Sequence, residues 1–257
     1  MRKLQRPDFS LLVKWLDKNL KAVTQAGLVL CLALVSVAYI RLFNPEAFES
    51  AFSPASRPLP VYNVETEEKK VAISFDAAWG EEKTDEILKI LKDHDVHTTF
   101  FLVGYWVDKY PDHVKQIADA GHEIGNHSYD HRRLTKLNEA GVRSQVSRCE
   151  EALASLGEYH PHLLRPPEGA MNATVRRVAR AEGYRLILWD IDTRDWAHTP
   201  PDTITRNVLE SVQAGDIILM HDYIGHDSPT PAALRRLIPA LLERGYRFVT
   251  VSRLIDG

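Results

Sequence analysis

Apolar positions along the chain follow two regimes. From Ala22 to Ile40 there is no Asp, Glu, Lys or Arg, and Gly27 to Val35 is a run of small and apolar residues. At about 1.5 Å per residue a helix over this stretch reaches roughly 28 Å, close to the hydrocarbon thickness of a bilayer. Arg2, Lys3, Arg6, Lys14, Lys18 and Lys21 precede it, against Asp8 and Asp17. The pattern predicts a cytoplasmic basic segment over 1–21 and a single transmembrane signal anchor over 22–40. The rest of the chain would then lie outside the cell membrane. Ser36-Val37-Ala38 also offers small residues where a signal peptidase cuts, so release near Ala38 stays open. Residues 41–68 hold Pro45, Pro54, Pro58 and Pro60 among scattered Phe and small polar residues, which predicts a linker.

From residue 69 the second regime begins. Short β-prone runs (Val71-Ala72-Ile73-Ser74-Phe75, then Thr98 to Val103) alternate with helical spacing around Ile87, Leu88 and Leu91. Val142, Val146, Cys149, Leu153 and Leu156 recur at steps of four and three, the core face of a long helix. Further helices are predicted around Val175–Ala179, Ile204–Val212 and Leu234–Leu242. Gly121, Gly183, Gly215 and Gly245 each stand just before an apolar run, where glycine can end a helix in the left-handed conformation. Alternation of this kind over 69–257 predicts one α/β domain of parallel strands, as an open sheet or a small barrel.

The composition narrows the function. A net charge of -3 removes the basic excess that phosphate binding needs, so no nucleic-acid partner is expected. Nor does the sequence show an obligate protein partner. Cys31 and Cys149 form neither a disulfide framework nor a CxxC metal site; both read as small apolar residues.

Parallel α/β folds present chemistry at the carboxyl ends of strands. Those ends carry Asp76, Asn126-His127, Arg165-Pro166-Pro167, Asp190-Ile191-Asp192 and His221-Asp222. An aspartate such as Asp76 caps a helix as readily as it catalyses. His127 and His131 stand four apart, a spacing that suits a divalent metal if both lie on one face of a helical turn. Arg165 precedes two prolines and could fix a guanidinium or merely shape a turn. His221 ends the buried run Ile217-Ile218-Leu219-Met220, which favours a functional histidine over a structural one.

In order and spacing, Ser74-Phe75-Asp76, His127-Ser128-xx-His131, Arg165-Pro166-Pro167-x-Gly169, Asp192-xx-Asp195-Trp196 and Leu219-x-His221 resemble the five motifs of the polysaccharide deacetylases of NodB-homology type. The resemblance covers about Lys70 to Leu254. It implies a distorted (β/α) barrel of about seven parallel strands and hydrolysis of N-acetyl groups, sometimes O-acetyl groups, on glycans such as peptidoglycan or chitin oligomers. It further implies that His127 and His131 hold a divalent metal, zinc or another transition metal. Asp76 would be the general base oriented by Arg165, and His221, held by Asp195, the general acid. The Glu168 backbone N–H would serve as an oxyanion donor, and Trp196 and Leu219 would wall the acetyl pocket.

Two positions depart from the family pattern. Its first motif usually has a second aspartate that completes the metal ligands, and here that residue is Ala77. The usual aromatic residue after Arg165-Pro166-Pro167 is Glu168. Weaker metal affinity or recruitment of a substitute ligand is therefore expected; Glu168 is one candidate, and Asp130, whose position favours solvent, a second. Three readings follow: an N-deacetylase of cell-wall glycan, a glycan-binding relative without turnover, and an esterase acting on O-acetyl groups.

Overall fold

The computed structural model describes residues 10–43, 60–157, 159–223 and 225–257. They belong to two units that divide after Arg57. In the first, one helix, α1 (Ser10–Phe43), runs for 34 residues. It takes in the uncharged stretch, but also Lys14, Asp17, Lys18 and Lys21. Among the described residues no helix is long and apolar enough to cross a membrane. The span expected over 22–40 is therefore not shown by the described residues. Of the expected linker, 44–59 lies outside the described residues.

The second unit alternates strands and helices as the sequence predicts. In order it comprises β1 (Lys70–Ala77), α2 (Thr84–Asp93), β2 (Thr99–Leu102), α3 (Gly104–Lys109), α4 (Pro111–Asp119) and β3 (Glu123–Asn126). Then follow α5 (Glu139–Ala154), β4 (Leu163–Leu164), α6 (Ala173–Ala181), β5 (Arg185–Leu186), β6 (Ile191–Asp192) and α7 (Pro201–Ser211). The chain closes with β7 (Ile217–His221), α8 (Thr230–Glu243), β8 (Arg247–Phe248) and α9 (Val251–Asp256). All strand pairs are parallel, in the order β5-β4-β3-β2-β1-β7-β6, with β8 paired to β1 beside that path.

Seven strands on a curled path match the expected barrel, but it is open. Among the described residues no ladder joins β5 to β6, each two residues long. Chain from the expected linker covers this seam instead. The Val61 N–H donates to the Leu186 carbonyl at 2.8 Å, the Leu188 N–H to Val61 at 2.7 Å, and the Val64 N–H to Gly215 at 2.9 Å.

β1 is the central strand, and its side chains alternate between two faces. Ile73, Phe75 and Ala77 enter the core under the helices, where Phe75 stacks on Phe100 at 4.8 Å. Ala72, Ser74 and Asp76 share the opposite, interior face, and Ala72 packs there with Phe101, Leu163 and Ile217. The helices dock as their periodicity requires. α5 buries Val142, Val146, Cys149 and Leu153 and is capped by the Asn138 side chain, which accepts from the Gly141 N–H at 2.9 Å. Burial pushes the Cys149 thiol up to about 12, in keeping with an inert core residue.

Gly215 needs both its conformation and its lack of a side chain. Its φ is +91°, and an added Cβ would lie 1.7 Å from the Val64 carbonyl oxygen, so the seam strap could not close. Gly183, at φ +76°, has no atom within 4 Å of an added Cβ. Gly183→Ala is expected to lose about 1–2 kcal/mol, the left-handed penalty alone. Gly215→Ala should lose about 3 kcal/mol or more, because backbone must also move. Urea denaturation of both variants checks this; equal losses would contradict the close approach.

Candidate active site

The parallel register brings two distant motifs side by side. On β1 and β7, Asp76 and His221 are direct Cα partners. They line one cleft of about 700 Å³ together with Trp79, His131, Glu168, Trp196 and Leu219. Thus the aspartate, the terminal histidine and one member of the histidine pair meet at one opening, the C-terminal edge of the sheet.

Arg165 follows β4 and is fully buried. Its Nη1 donates to Asp76 Oδ1 at 2.7 Å, and its Nη2 donates to Ser74 Oγ at 2.8 Å and to the Leu188 carbonyl at 3.3 Å. The guanidinium lies 4.0 Å from the centre of the Phe101 ring. Burial favours the neutral form of Asp76, but the positive charge around it, including the permanently cationic Arg165, outweighs it and holds the carboxyl below its ordinary range. Asp76 is therefore a buried anion, oriented by a rigid fork.

His127 sits just past β3, fully buried, with Nδ1 2.7 Å from the Arg165 carbonyl. A carbonyl can only accept, so Nδ1 carries the proton and Nε2 keeps its lone pair. That Nε2 is 3.3 Å from Asp76 Oδ2 and has no hydrogen-bond partner. Burial pushes the His127 imidazole down to about 4, which keeps it neutral. His131 lies with its ring centre 5.0 Å from that of His127, and burial lowers its pKa as well. The pair does not share a helical turn as the spacing suggested. The segment after β3 is irregular, and Ser128 and His131 adopt positive φ values of 67° and 59°. A loop, not a helix face, brings the two rings together.

His221 is set up in the opposite sense. Its Nδ1 is 2.8 Å from Asp195 Oδ1, and its backbone N–H donates to Asp195 Oδ2 at 2.7 Å. Asp195 is fully buried and also accepts from Thr230 Oγ1 and the Trp196 N–H, each at 2.8 Å. Burial works against a charged ring, but the hydrogen bond and charge of Asp195, with Asp76 and Asp192 behind them, raise the His221 pKa above its ordinary value. With Nδ1 bound to Asp195, Nε2 is left as the ring's remaining donor.

At the mouth, Glu168 has a left-handed backbone, φ 57°, directly after Pro166 and Pro167. Neither proline has an N–H, so Glu168 supplies the first donor of that turn. Its carboxylate pairs with Arg133, whose Nε lies 2.7 Å away. Asp130 is likewise held by Arg132 Nε at 2.8 Å and Gln145 Nε2 at 3.2 Å. The two expected substitute ligands are thus drawn off by cations, Arg133 and Arg132, that adjoin them. Ala77 is fully buried on the other face of β1.

Sequence reasoning missed Ser74 as a partner of Arg165, although it shares the Asp76 face of β1 two residues away. It also missed Thr230, which no motif contains, and Trp79, which stood in plain view after the first motif. For a divalent ion, the chain offers a neutral His127 whose buried Nε2 lone pair is unsatisfied and His131 beside it. These residues fit a metal as a two-imidazole site, and among the described residues no group of three His, Cys, Asp or Glu could hold one.

Comparison with known proteins agrees with this geometry. Residues 63–187 match the polysaccharide deacetylase family. A peptidoglycan-N-acetylglucosamine deacetylase of Bacillus cereus is 42% identical over 188 residues, spanning 73% of this chain and 68% of that protein. The crystal structure of the peptidoglycan N-acetylglucosamine deacetylase Bc1960 superposes with a TM-score of 0.75 at 38% identity, covering 79% of this chain and 95% of that one. BA3943 of Bacillus anthracis, a pseudoenzyme of carbohydrate esterase family 4, superposes at 0.74 with 34% identity over 77% of this chain and 69% of its own. A mutant of that protein with restored activity superposes equally well. The chain belongs to the polysaccharide deacetylase family of hydrolases.

Proposed function

We propose that this protein removes N-acetyl groups from a cell-wall glycan of the peptidoglycan or chitin type, releasing acetate and a free sugar amine. The observation that carries this reading is the pairing of Asp76 with His221 across one cleft. One is an anion and the other a cation-prone imidazole, the proton states a base and an acid need before the reaction begins. Similarity to peptidoglycan deacetylases supports the choice of substrate.

In this reading Asp76 takes the proton of the attacking water, with Arg165 fixing which carboxylate oxygen faces the substrate. Oxygen charge developing on the acetyl carbonyl meets the Glu168 N–H. His221 delivers its Nε2 proton to the departing nitrogen while Asp195 keeps the ring oriented. Trp196 and Leu219 close around the acetyl methyl group. His127 and His131 would hold a divalent ion, which when bound supplies carbonyl polarisation and a more acidic water. An extracytoplasmic location belongs to the same proposal, since wall glycan is met there; its support is the basic flank ahead of an uncharged stretch in the sequence.

A second reading, a glycan-binding relative without turnover, draws on Ala77, on the missing third ligand and on similarity to a pseudoenzyme. Against it stands the full set Asp76, Arg165, Asp195 and His221, since binding alone needs no poised acid and base. Hydrolysis of O-acetyl groups would use the same residues.

Acetate release from peptidoglycan and chitin oligomers decides between them. Asp76→Asn and His221→Ala are each expected to lower kcat/KM about 10²–10⁴-fold. Prolonged chelation should abolish release, and added zinc or cobalt should restore it. No release by the wild-type protein with any divalent metal would leave the binding reading, and release that survives chelation would remove the metal.

The His221–Asp195 pair also predicts how stability depends on pH. A histidine whose folded pKa is raised above its ordinary 6.5 adds stability at low pH, which is lost as pH rises through the folded value. Asp195→Asn should therefore cost more stability at about pH 5.5 than at about pH 9. Urea denaturation at both values checks this; an equal cost would mean that Asp195 does not stabilise the charged ring.

A further inference from the structure

The loop between β1 and α2 displays an indole to solvent. Trp79 is 65% exposed, although it lines the same cleft as Asp76 and His221. An aromatic ring of this size gains most by burial, so its exposure at a site marks a surface that a ligand covers. The loop beneath it is firmly held. The buried Trp106 indole N–H donates to the Gly80 carbonyl at 2.9 Å. Tyr223 packs so closely that a Cβ on Gly80 would lie 2.4 Å from its ring. Trp79 itself leans edge-on against the His131 ring, with centres 5.3 Å apart and planes at 60°. One edge is thus braced at the reaction centre, and the bulk of the ring stays open. Trp196, 49% exposed, lines the same cleft, as do Trp189 and Tyr223.

We infer that Trp79 forms a subsite for the glycan chain, stacking on the pyranose ring next to the one whose acetyl group faces Asp76 and His221. This rests on the reading of the cleft given above. A pyranose has a flat face of C–H bonds and a rim of hydroxyls. An exposed indole matches the face, and Glu168, which lines the cleft and is paired with Arg133, offers an acceptor to the rim. On this proposal the subsite favours a chain over a single acetylated sugar, which would occupy the reacting position alone.

The test compares Trp79→Ala and Trp79→Phe with the wild-type protein. Binding of N-acetylglucosamine oligomers from monomer to tetramer is measured by calorimetry, and kcat and KM for the tetramer are measured in parallel. Trp79→Ala is expected to weaken tetramer binding and raise its KM about tenfold, with little change in monomer affinity. Its kcat should stay within about twofold, and Trp79→Phe should keep most of the tetramer affinity. Unchanged tetramer affinity in Trp79→Ala would overturn the proposal. So would a fall in kcat at constant KM, which would mean that Trp79 acts through His131. If the wild-type protein releases no acetate, the proposed activity fails, yet loss of tetramer binding in Trp79→Ala would still uphold the subsite. A wild-type protein that binds no oligomer would overturn it.

Discussion

A single cation inside the barrel sets the terms for everything around it. Arg165 is fully buried, and a guanidinium cannot shed its proton to escape the cost of burial. It must be met by an anion and by acceptors, and Asp76, Ser74 and the Leu188 carbonyl meet it. In return the cation holds Asp76 ionised in a place where burial alone would neutralise it. Removing either partner would strand the other at a cost of about 3–5 kcal/mol. The base is therefore part of the framework, and the carbonyl of Arg165 in turn fixes the tautomer of His127.

From that anchor three imidazoles acquire different proton states within one site. His127 and His131 are pushed toward neutrality by burial, while His221 is drawn toward the cation by Asp195. Side-chain identity is the same in each case; the neighbours differ. Neutral rings with a free lone pair suit a metal, and a ring that keeps its proton suits an acid. A protein that only bound glycan would have no use for this division of labour.

Much of this was legible in the sequence. Glycines 121, 183 and 245 marked helix ends and have positive φ, whereas Gly215, also at positive φ, stands in the turn before β7, past the end of α7. Polar residues directly after apolar runs located the mouth, because parallel strands present their carboxyl ends together. Less legible were features that arise only on folding. The His127–His131 spacing suggested a helical turn, but Ser128 takes a positive φ that no residue-type preference announced. Glu168 was a candidate substitute ligand whose orientation the sequence does not show, and Arg133, 35 residues earlier, pairs with its carboxylate. The open seam lies between strands two residues long, below what sequence periodicity can register. Thr230 lies outside every motif and reaches Asp195 only because α8 begins beside the end of β7.

The most direct test is to titrate the histidine rings individually by ¹⁵N NMR in the folded protein, assigning each by substitution. Near pH 6.5, an ordinary histidine value, the account requires His221 to be cationic while His127 remains neutral with its proton on Nδ1. A neutral His221 beside a protonated His127 at that pH would invert the proton arrangement and contradict the assignment of acid and base.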